Sequence, residues 1–233
     1  MVSYKRNYNF RNKSPLFAIG SILNGDLNNS VIWGSGFIHP TEKKIGKPFK
    51  VLAVRGKYSA EILKKQGISF NGVYGDPALL FPSIYNPSIS KKFKLGIIPH
   101  YTELKDFEKH KEEYSKKNIL LISPMVKEDI HNFIDQILSC ENIASSSLHG
   151  LIVADAYGIP SIRFKFKNEL VGGDFKFKDY YSGVGLEEQS CMHIKEVSNI
   201  NRDEIINQAN QKPIKFDAPL LKNTLINFFK KEY

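Results

Sequence analysis

The feature that most constrains this 233-residue sequence is a regular alternation of short apolar runs and helical patterns between residues 93 and 164. Short continuous apolar runs are typical of strands buried on both faces of a parallel sheet. We predict strands at residues 93–98, 119–122, 143–144 and 161–164, with helices at 103–117, 129–140 and 148–157 between them. This order predicts an α/β fold with a parallel sheet covered on both faces by helices.

The first part of the chain shows a similar but shorter pattern. Apolar runs predict strands at 16–19, 31–33 and 51–54, and residues 59–66 predict a helix with Ser59 as its N-cap and Gly67 as its C-cap. The Pro-, Ser- and Asn-rich segment from Pro82 to Lys92 resembles an interdomain linker. Closing helices are predicted at 203–210 and 220–230. We therefore predict two α/β lobes, residues 1–85 and 86–233, with ligands bound beyond the carboxyl ends of the strands.

The charge, the cysteine count and the apolar runs of the sequence limit the classes of protein to which it can belong. The chain has 33 Lys and Arg against 24 Asp and Glu, a net charge of +9, but the lysines are dispersed in pairs and no nucleic-acid-binding motif accompanies them. The positive electrostatic field of such a chain can attract a multivalent anion or the anionic face of a membrane. The net charge alone does not distinguish between these two kinds of partner. The two cysteines have no metal-ligand spacing, and no apolar run is long enough to span a membrane. We expect a cytoplasmic protein, with peripheral association at the inner membrane face left open.

Three candidate positions follow strands of the first lobe. Arg55 ends a strand, where its guanidinium could bind a carboxylate or phosphate or instead pair with an acidic side chain. The run Gly34, Ser35 and Gly36 lets the backbone approach a ligand, although a simple turn is the stronger interpretation and the third glycine of a dinucleotide fingerprint is missing. Asp76 precedes a proline, where an aspartate commonly bonds local backbone.

The most informative segment begins with three serines at a strand end and continues directly into an apolar helix. The first N–H groups of a helix lack intrahelical acceptors and, with the helix dipole, favour anions. His149 falls in the first helical turn, beside any bound anion. We therefore favour an anion site here over a merely capped helix with a surface histidine. The candidate substrate-binding residues of this segment are Ser145, Ser146, Ser147, Leu148 and Gly150.

Basic side chains at two other strands are weaker candidates. His100 follows the first strand of the second lobe, where a ligand contact and a structural histidine are equally compatible with the sequence. Arg163, Lys165 and Lys167 alternate with phenylalanines and so share one face of a strand, either beside the ligand or on a solvated face. No metal-ligand cluster is evident, and we expect neither a metal nor a cofactor.

Together these segments resemble the polysaccharide pyruvyl transferase family, most closely the members that build pyruvate ketals on bacterial exopolysaccharides. Six stretches, in the family's order, carry the resemblance between about residues 16 and 164: 19–23, 31–37, 54–56, 75–80, 98–101 and 145–160. The resemblance implies a GT-B-like arrangement of two Rossmann-type lobes, with an acceptor-side N-terminal lobe and a donor-binding C-terminal lobe. Compared with family members, the N-terminal lobe is expected to be shortened.

The resemblance also implies phosphoenolpyruvate as the donor substrate and a sugar of an exopolysaccharide, or of its lipid-linked precursor, as the acceptor. By similarity, Ser147, Leu148 and His149 contact the donor, and His149 is the key histidine. The chemistry needs an acid, a carboxylate partner and donors for the departing phosphate. We expect His149 as the acid or phosphate partner and Arg55 as the carboxylate clamp. Two alternatives stay open: a GT-B-type glycosyltransferase, and a truncated, non-catalytic family member that binds anions or glycans.

Overall fold

The structure is a computed structural model that describes residues 14–70, 72–126, 129–166 and 172–232. The strands are β1 (Leu16–Phe17), β2 (Val31–Trp33), β3 (Lys50–Ala53), β4 (Phe93–Ile98), β5 (Ile119–Leu121), β6 (Cys140–Ser145), β7 (Ser161–Lys165) and β8 (Cys191–His193). The α-helices are α1 (Lys57–Lys65), α2 (Leu104–Glu108), α3 (Lys111–Lys116), α4 (Ile130–Leu138), α5 (Leu148–Ala156), α6 (Phe175–Gly183), α7 (Arg202–Gln208) and α8 (Ala218–Glu232). Short 3-10 helices cover Pro77–Ser83 and Val197–Asn199. The predicted α/β class is confirmed.

The described residues divide into two compact units. The first contains residues 14–77, 172–185 and 216–232, and the second contains residues 78–166 and 186–215, apart from the positions outside the described ranges. This division differs from the predicted boundary at residues 85 and 86. Helices α6 and α8 belong to the first unit: Asp179 of α6 accepts from Arg55 Nε at 2.9 Å, and the Leu221 carbonyl of α8 accepts from Trp33 Nε1 at 3.1 Å.

The sheet of the first unit has the order β1-β2-β3, and both pairs are parallel. Helix α1 follows β3 and buries Ile62 and Leu63 in the core of this unit. The helix begins at Lys57 with Gly56 as its N-cap, so Ser59, the predicted N-cap, lies within the first turn, where its hydroxyl donates to Asp179 Oδ2 at 2.7 Å. The helix ends at Lys65 with Gln66 as its C-cap, one residue before the predicted C-cap Gly67, whose φ of 74° favours glycine.

The second unit contains a five-stranded parallel sheet with the order β5-β4-β6-β7-β8. Leu95 and Ile97 of β4 join Phe107 of α2 in one buried cluster. The next residue, Ile98, lies in a second cluster with apolar side chains of α4 and α5. Since alternate strand residues point to opposite faces, both faces of the sheet are covered, as predicted from the continuous apolar runs.

The structure of the second unit differs from the prediction at three places. The predicted helix 103–117 is two helices, α2 and α3, because the chain leaves helical geometry at His110 (φ −115°, ψ 13°). The predicted linker packs within the second unit, where the Tyr85 hydroxyl donates to Asp135 Oδ1 at 2.8 Å and the Tyr157 hydroxyl donates to the Tyr85 carbonyl. Strand β8 was not predicted. Across the described ranges, no helix is long and apolar enough to cross a membrane.

Candidate active site

The order in which the chain adds strands to the sheet of the second unit reverses between β4 and β6. The chain passes from β4 to β5 on one side of the sheet and then returns to place β6 on the other side of β4. In open parallel sheets, the loops after two such strands diverge and leave a crevice at their carboxyl ends, where ligands bind. The loop after β4 carries His100, and the loop after β6 carries Ser146 and Ser147. The structure thus brings these sequence-predicted residues to one edge of one sheet.

The first serine of the triplet has a packing role. The Ser145 hydroxyl lies 2.9 Å from the Ile98 carbonyl oxygen and 2.8 Å from that of Ser147, and it accepts the Ser147 N–H at 3.0 Å. It also lies against Gly150, where a Cβ would collide with the Ser145 hydroxyl and approach the Ile98 side chain at 3.1 Å. Ser145 and Gly150 therefore seat helix α5 on β4 and β6.

The first turn of helix α5 is held in place because the rest of the helix is buried. Leu148 and residues 150–155 are buried, so the helix is enclosed along nearly its whole length, as its apolar sequence predicted. Ser147 occupies the N-cap in an extended conformation, and its side chain forms no capping bond with any described residue. The first turn of α5 is therefore not capped by the Ser147 side chain. His149 is half-buried in the first turn, where the helix dipole favours an anion.

The loop after β4 is hydrogen-bonded to the loop after β6. The His100 N–H donates to Ser146 Oγ at 2.7 Å and lies 3.2 Å from Glu103 Oε2. The Ser146 hydroxyl in turn donates to the same Glu103 oxygen at 2.5 Å. The His100 ring pairs with Thr102 Oγ1 at 2.8 Å and stacks against Tyr101. Sequence reasoning missed Glu103, because a glutamate at the start of a charged helix is usually solvated; the structure buries it completely.

Strand β7 brings a cation next to this loop. Arg163 is in register with Ser145 of β6, so the two residues share a face of the sheet, and only 4% of Arg163 is exposed. It therefore does not lie on a solvated face, whereas Lys165, two residues further along, is half-buried. Lys167, predicted to share this face, lies outside the described residues.

Arg55 occupies the interior of the first unit. Its guanidinium is fully buried and donates through Nε to Asp179 Oδ2 at 2.9 Å, through Nη1 to Ser21 Oγ at 2.5 Å and through Nη2 to the Phe37 carbonyl at 2.7 Å. Of the two alternatives that the sequence allowed, this is the arginine paired with an acid, and the acid is buried. The carboxylate clamp stays a prediction that these contacts do not support.

The glycine run of the first lobe packs around this ion pair. A Cβ at Gly36 would lie 2.5 Å from the Arg55 guanidinium carbon and 2.6 Å from Asp179 Oδ2. A Cβ at Gly34 would collide with Pro77, so Gly34 abuts the turn that holds the fully buried Asp76. The Ser35 hydroxyl donates to the Ala18 carbonyl at 2.9 Å. Close backbone packing is thus a sufficient reason for these glycines.

Comparison with known proteins decides the family. The sequence pattern of the family described as polysaccharide pyruvyl transferase matches residues 4–168, well over half of the chain. The chain belongs to the polysaccharide pyruvyl transferase family. It is also 32% identical, over 223 residues, to an uncharacterized protein of Acanthamoeba polyphaga mimivirus; the match covers 91% of this chain and 75% of that protein. The resemblance stated from the sequence is therefore confirmed.

The family match spans both groups of predicted site residues, from β1 through β7. Helix α6, which supplies Asp179, lies beyond its end, so family resemblance could not have identified the partner of Arg55. A cluster of three or more His, Cys, Asp or Glu side chains that could hold a metal is absent from the part of the chain that the structure describes.

Proposed function

We propose that this member of the polysaccharide pyruvyl transferase family moves the pyruvyl group of phosphoenolpyruvate onto a sugar of an exopolysaccharide or its lipid-linked precursor, forming a pyruvate ketal. The second unit carries the donor site in this proposal, and the first unit contributes to acceptor binding. The donor assignment rests on the position of the segment from Ser145 to His149. This segment leads into the buried helix α5 at the place where the strand order of the sheet reverses. The net charge of +9 supports attraction of an anionic donor and of an anionic membrane face at a cytoplasmic location.

The reaction needs one proton at carbon and one leaving phosphate. Protonation of the methylene carbon of phosphoenolpyruvate makes C2 electrophilic, and one sugar hydroxyl attacks it. The C2–O bond to phosphate then breaks, and a second hydroxyl of the same sugar closes the ketal. One hydroxyl proton balances the proton added at carbon, and the other leaves with the phosphate. No oxidant or reductant is needed.

In this proposal, His149 and the first turn of α5 together assist protonation at carbon and departure of the phosphate. An imidazole exchanges protons readily near neutral pH, so His149 serves as the acid or as the hydrogen-bond partner of the departing phosphate. The N–H groups of the first turn of α5 stabilise the phosphate charge as it develops. Arg163, buried and in register with Ser145, adds positive charge beside them. Arg55 is given a structural role, because its donors are engaged within the first unit.

The test measures inorganic phosphate released from phosphoenolpyruvate in the presence of a panel of glycan acceptors. We expect release by the wild-type protein and its loss in His149→Ala, by roughly 100-fold or more if His149 is the general acid. His110→Ala, at another half-buried histidine of the second unit, is the matched control and should keep full activity.

A binding measurement separates the donor from the acceptor. Millimolar phosphoenolpyruvate should raise the melting temperature of the wild-type protein, because a ligand that binds only the native state stabilises it. An unchanged melting temperature would contradict the donor assignment. A rise without phosphate release across the whole panel would instead favour the non-catalytic alternative.

A further inference from the structure

Glu103 is an ionisable residue that lies beside the carboxyl ends of β4 and β6 without any exposed surface. A buried carboxylate is costly unless hydrogen-bond donors surround it. Its Oε2 atom accepts the Ser146 hydroxyl at 2.5 Å and the His100 N–H at 3.2 Å, and its own N–H donates to the His100 carbonyl at 2.8 Å. Glu103 therefore contacts both the loop after β4 and the loop after β6.

These bonds connect two loops that leave the sheet separately. His100 belongs to the loop after β4, and Ser146 belongs to the loop that opens helix α5, 43 residues from Glu103 along the chain. Because both donors end on one oxygen, a shift of either loop lengthens or breaks a hydrogen bond to that oxygen. A buried donor left without its acceptor is costly.

We infer that Glu103 is a positioning residue that holds the Ser146–His149 segment against the loop after β4, in the arrangement that the donor site requires. This inference rests on the proposed function for its consequence in binding. It also changes the role of Ser146, whose hydroxyl is directed at Glu103 and acts as part of the support of the site.

Three substitutions of Glu103 separate the effect of the shared oxygen from that of charge. Glu103→Gln keeps a side-chain oxygen that can accept from both Ser146 and His100, whereas Glu103→Ala removes it. Glu103→Asp keeps the charge but withdraws the oxygen by one methylene, and it replaces the alanine variant if that variant does not fold. Asp135→Asn is the matched control. Asp135 is a half-buried carboxylate of α4 that accepts the Tyr85 hydroxyl at 2.8 Å, and asparagine keeps an oxygen for this bond.

The experiment combines amide hydrogen exchange with affinity for phosphoenolpyruvate. We expect Glu103→Ala to speed exchange of the 99–103 and 145–149 segments on the order of 10- to 100-fold, as loss of the acceptor of two buried donors predicts. The same variant should bind phosphoenolpyruvate about tenfold more weakly. Glu103→Gln should keep both values within about threefold of the wild type, and Asp135→Asn should change neither.

The outcomes are distinguishable. Unchanged exchange in Glu103→Ala, or equal acceleration of these segments in Asp135→Asn, would overturn the positioning role. A glutamine variant as impaired as the alanine variant would overturn it too, because charge would then matter more than the shared oxygen. If the wild-type protein does not bind phosphoenolpyruvate, the proposed function fails, and the exchange measurement alone decides the role of Glu103.

Discussion

The buried ion pair between Arg55 and Asp179 allows a quantitative prediction about the first unit. Neither side chain has any exposed surface, and Asp179 also accepts the Ser59 N–H and hydroxyl, each at 2.7 Å. Asp179→Ala leaves a buried guanidinium without its counter-charge. Breaking such a pair from one side costs about 3–5 kcal/mol, a large share of the roughly 5–15 kcal/mol that stabilises a typical domain.

Urea denaturation measures this loss directly. For a denaturant dependence of about 2 kcal/mol per molar urea, a loss of about 4 kcal/mol lowers the midpoint by about 2 M. The chain has one tryptophan, Trp33, and it lies in the first unit, so its fluorescence reports unfolding of that unit. The control is Glu61→Ala, at an exposed position on α1, which should change the free energy of unfolding by less than about 0.5 kcal/mol.

A double-mutant cycle shows whether the charges interact. Arg55→Met and Asp179→Ala together should cost less than the sum of the two single substitutions, because the double variant leaves no unpaired buried charge. Additive losses, or an Asp179→Ala midpoint equal to that of the control, would refute the structural role of the pair. Unaltered stability of Arg55→Met with weakened phosphoenolpyruvate binding would return Arg55 to the role of carboxylate clamp.

Two further predictions concern packing and pH. Gly36→Ala places a methyl group against the Arg55 guanidinium and should cost about 1–3 kcal/mol in the same urea assay, whether or not phosphoenolpyruvate is present. Burial raises the pKa of the Cys140 thiol from 9.0 to about 12, so above pH 9 the unfolded chain ionises while the native state does not. Stability should therefore fall as pH rises from about 9 to 12, and Cys140→Ala should reduce that fall; an unchanged slope would contradict the assignment.

Strands and apolar helices were predictable because their signal is local. The apolar run Phe93–Ile98 coincides with β4, and the apolar segment after the serine triplet predicted α5 to within one residue at its end. Helix α6 was missed for the opposite reason. It begins with alternating phenylalanines and lysines, which match neither a helical nor a clearly half-buried strand pattern, yet it buries Lys176 and Asp179.

The candidate site was predictable only in part. Its contiguous piece, Ser145–Gly150, could be read from the sequence because a serine-rich strand end followed by an apolar helix is itself a physical pattern. Glu103 could not be read in this way. The helix predicted to begin there would normally expose its first glutamate, and only the pairing of β4 beside β6 brings its carboxylate to Ser146.

Both missed acids follow from one physical rule. A cation or a cluster of hydroxyl and amide donors placed at a buried strand end needs an acceptor, since unpaired buried polar groups are costly. The sequence thus implies that Arg55 has a partner once its strand is recognised as buried. It does not say which of the 24 acidic residues supplies it, because Asp179 lies 124 residues away and reaches Arg55 only through the packing of α6. Local sequence patterns therefore show where a buried donor requires an acidic partner in this protein. The tertiary fold determines which distant side chain is that partner.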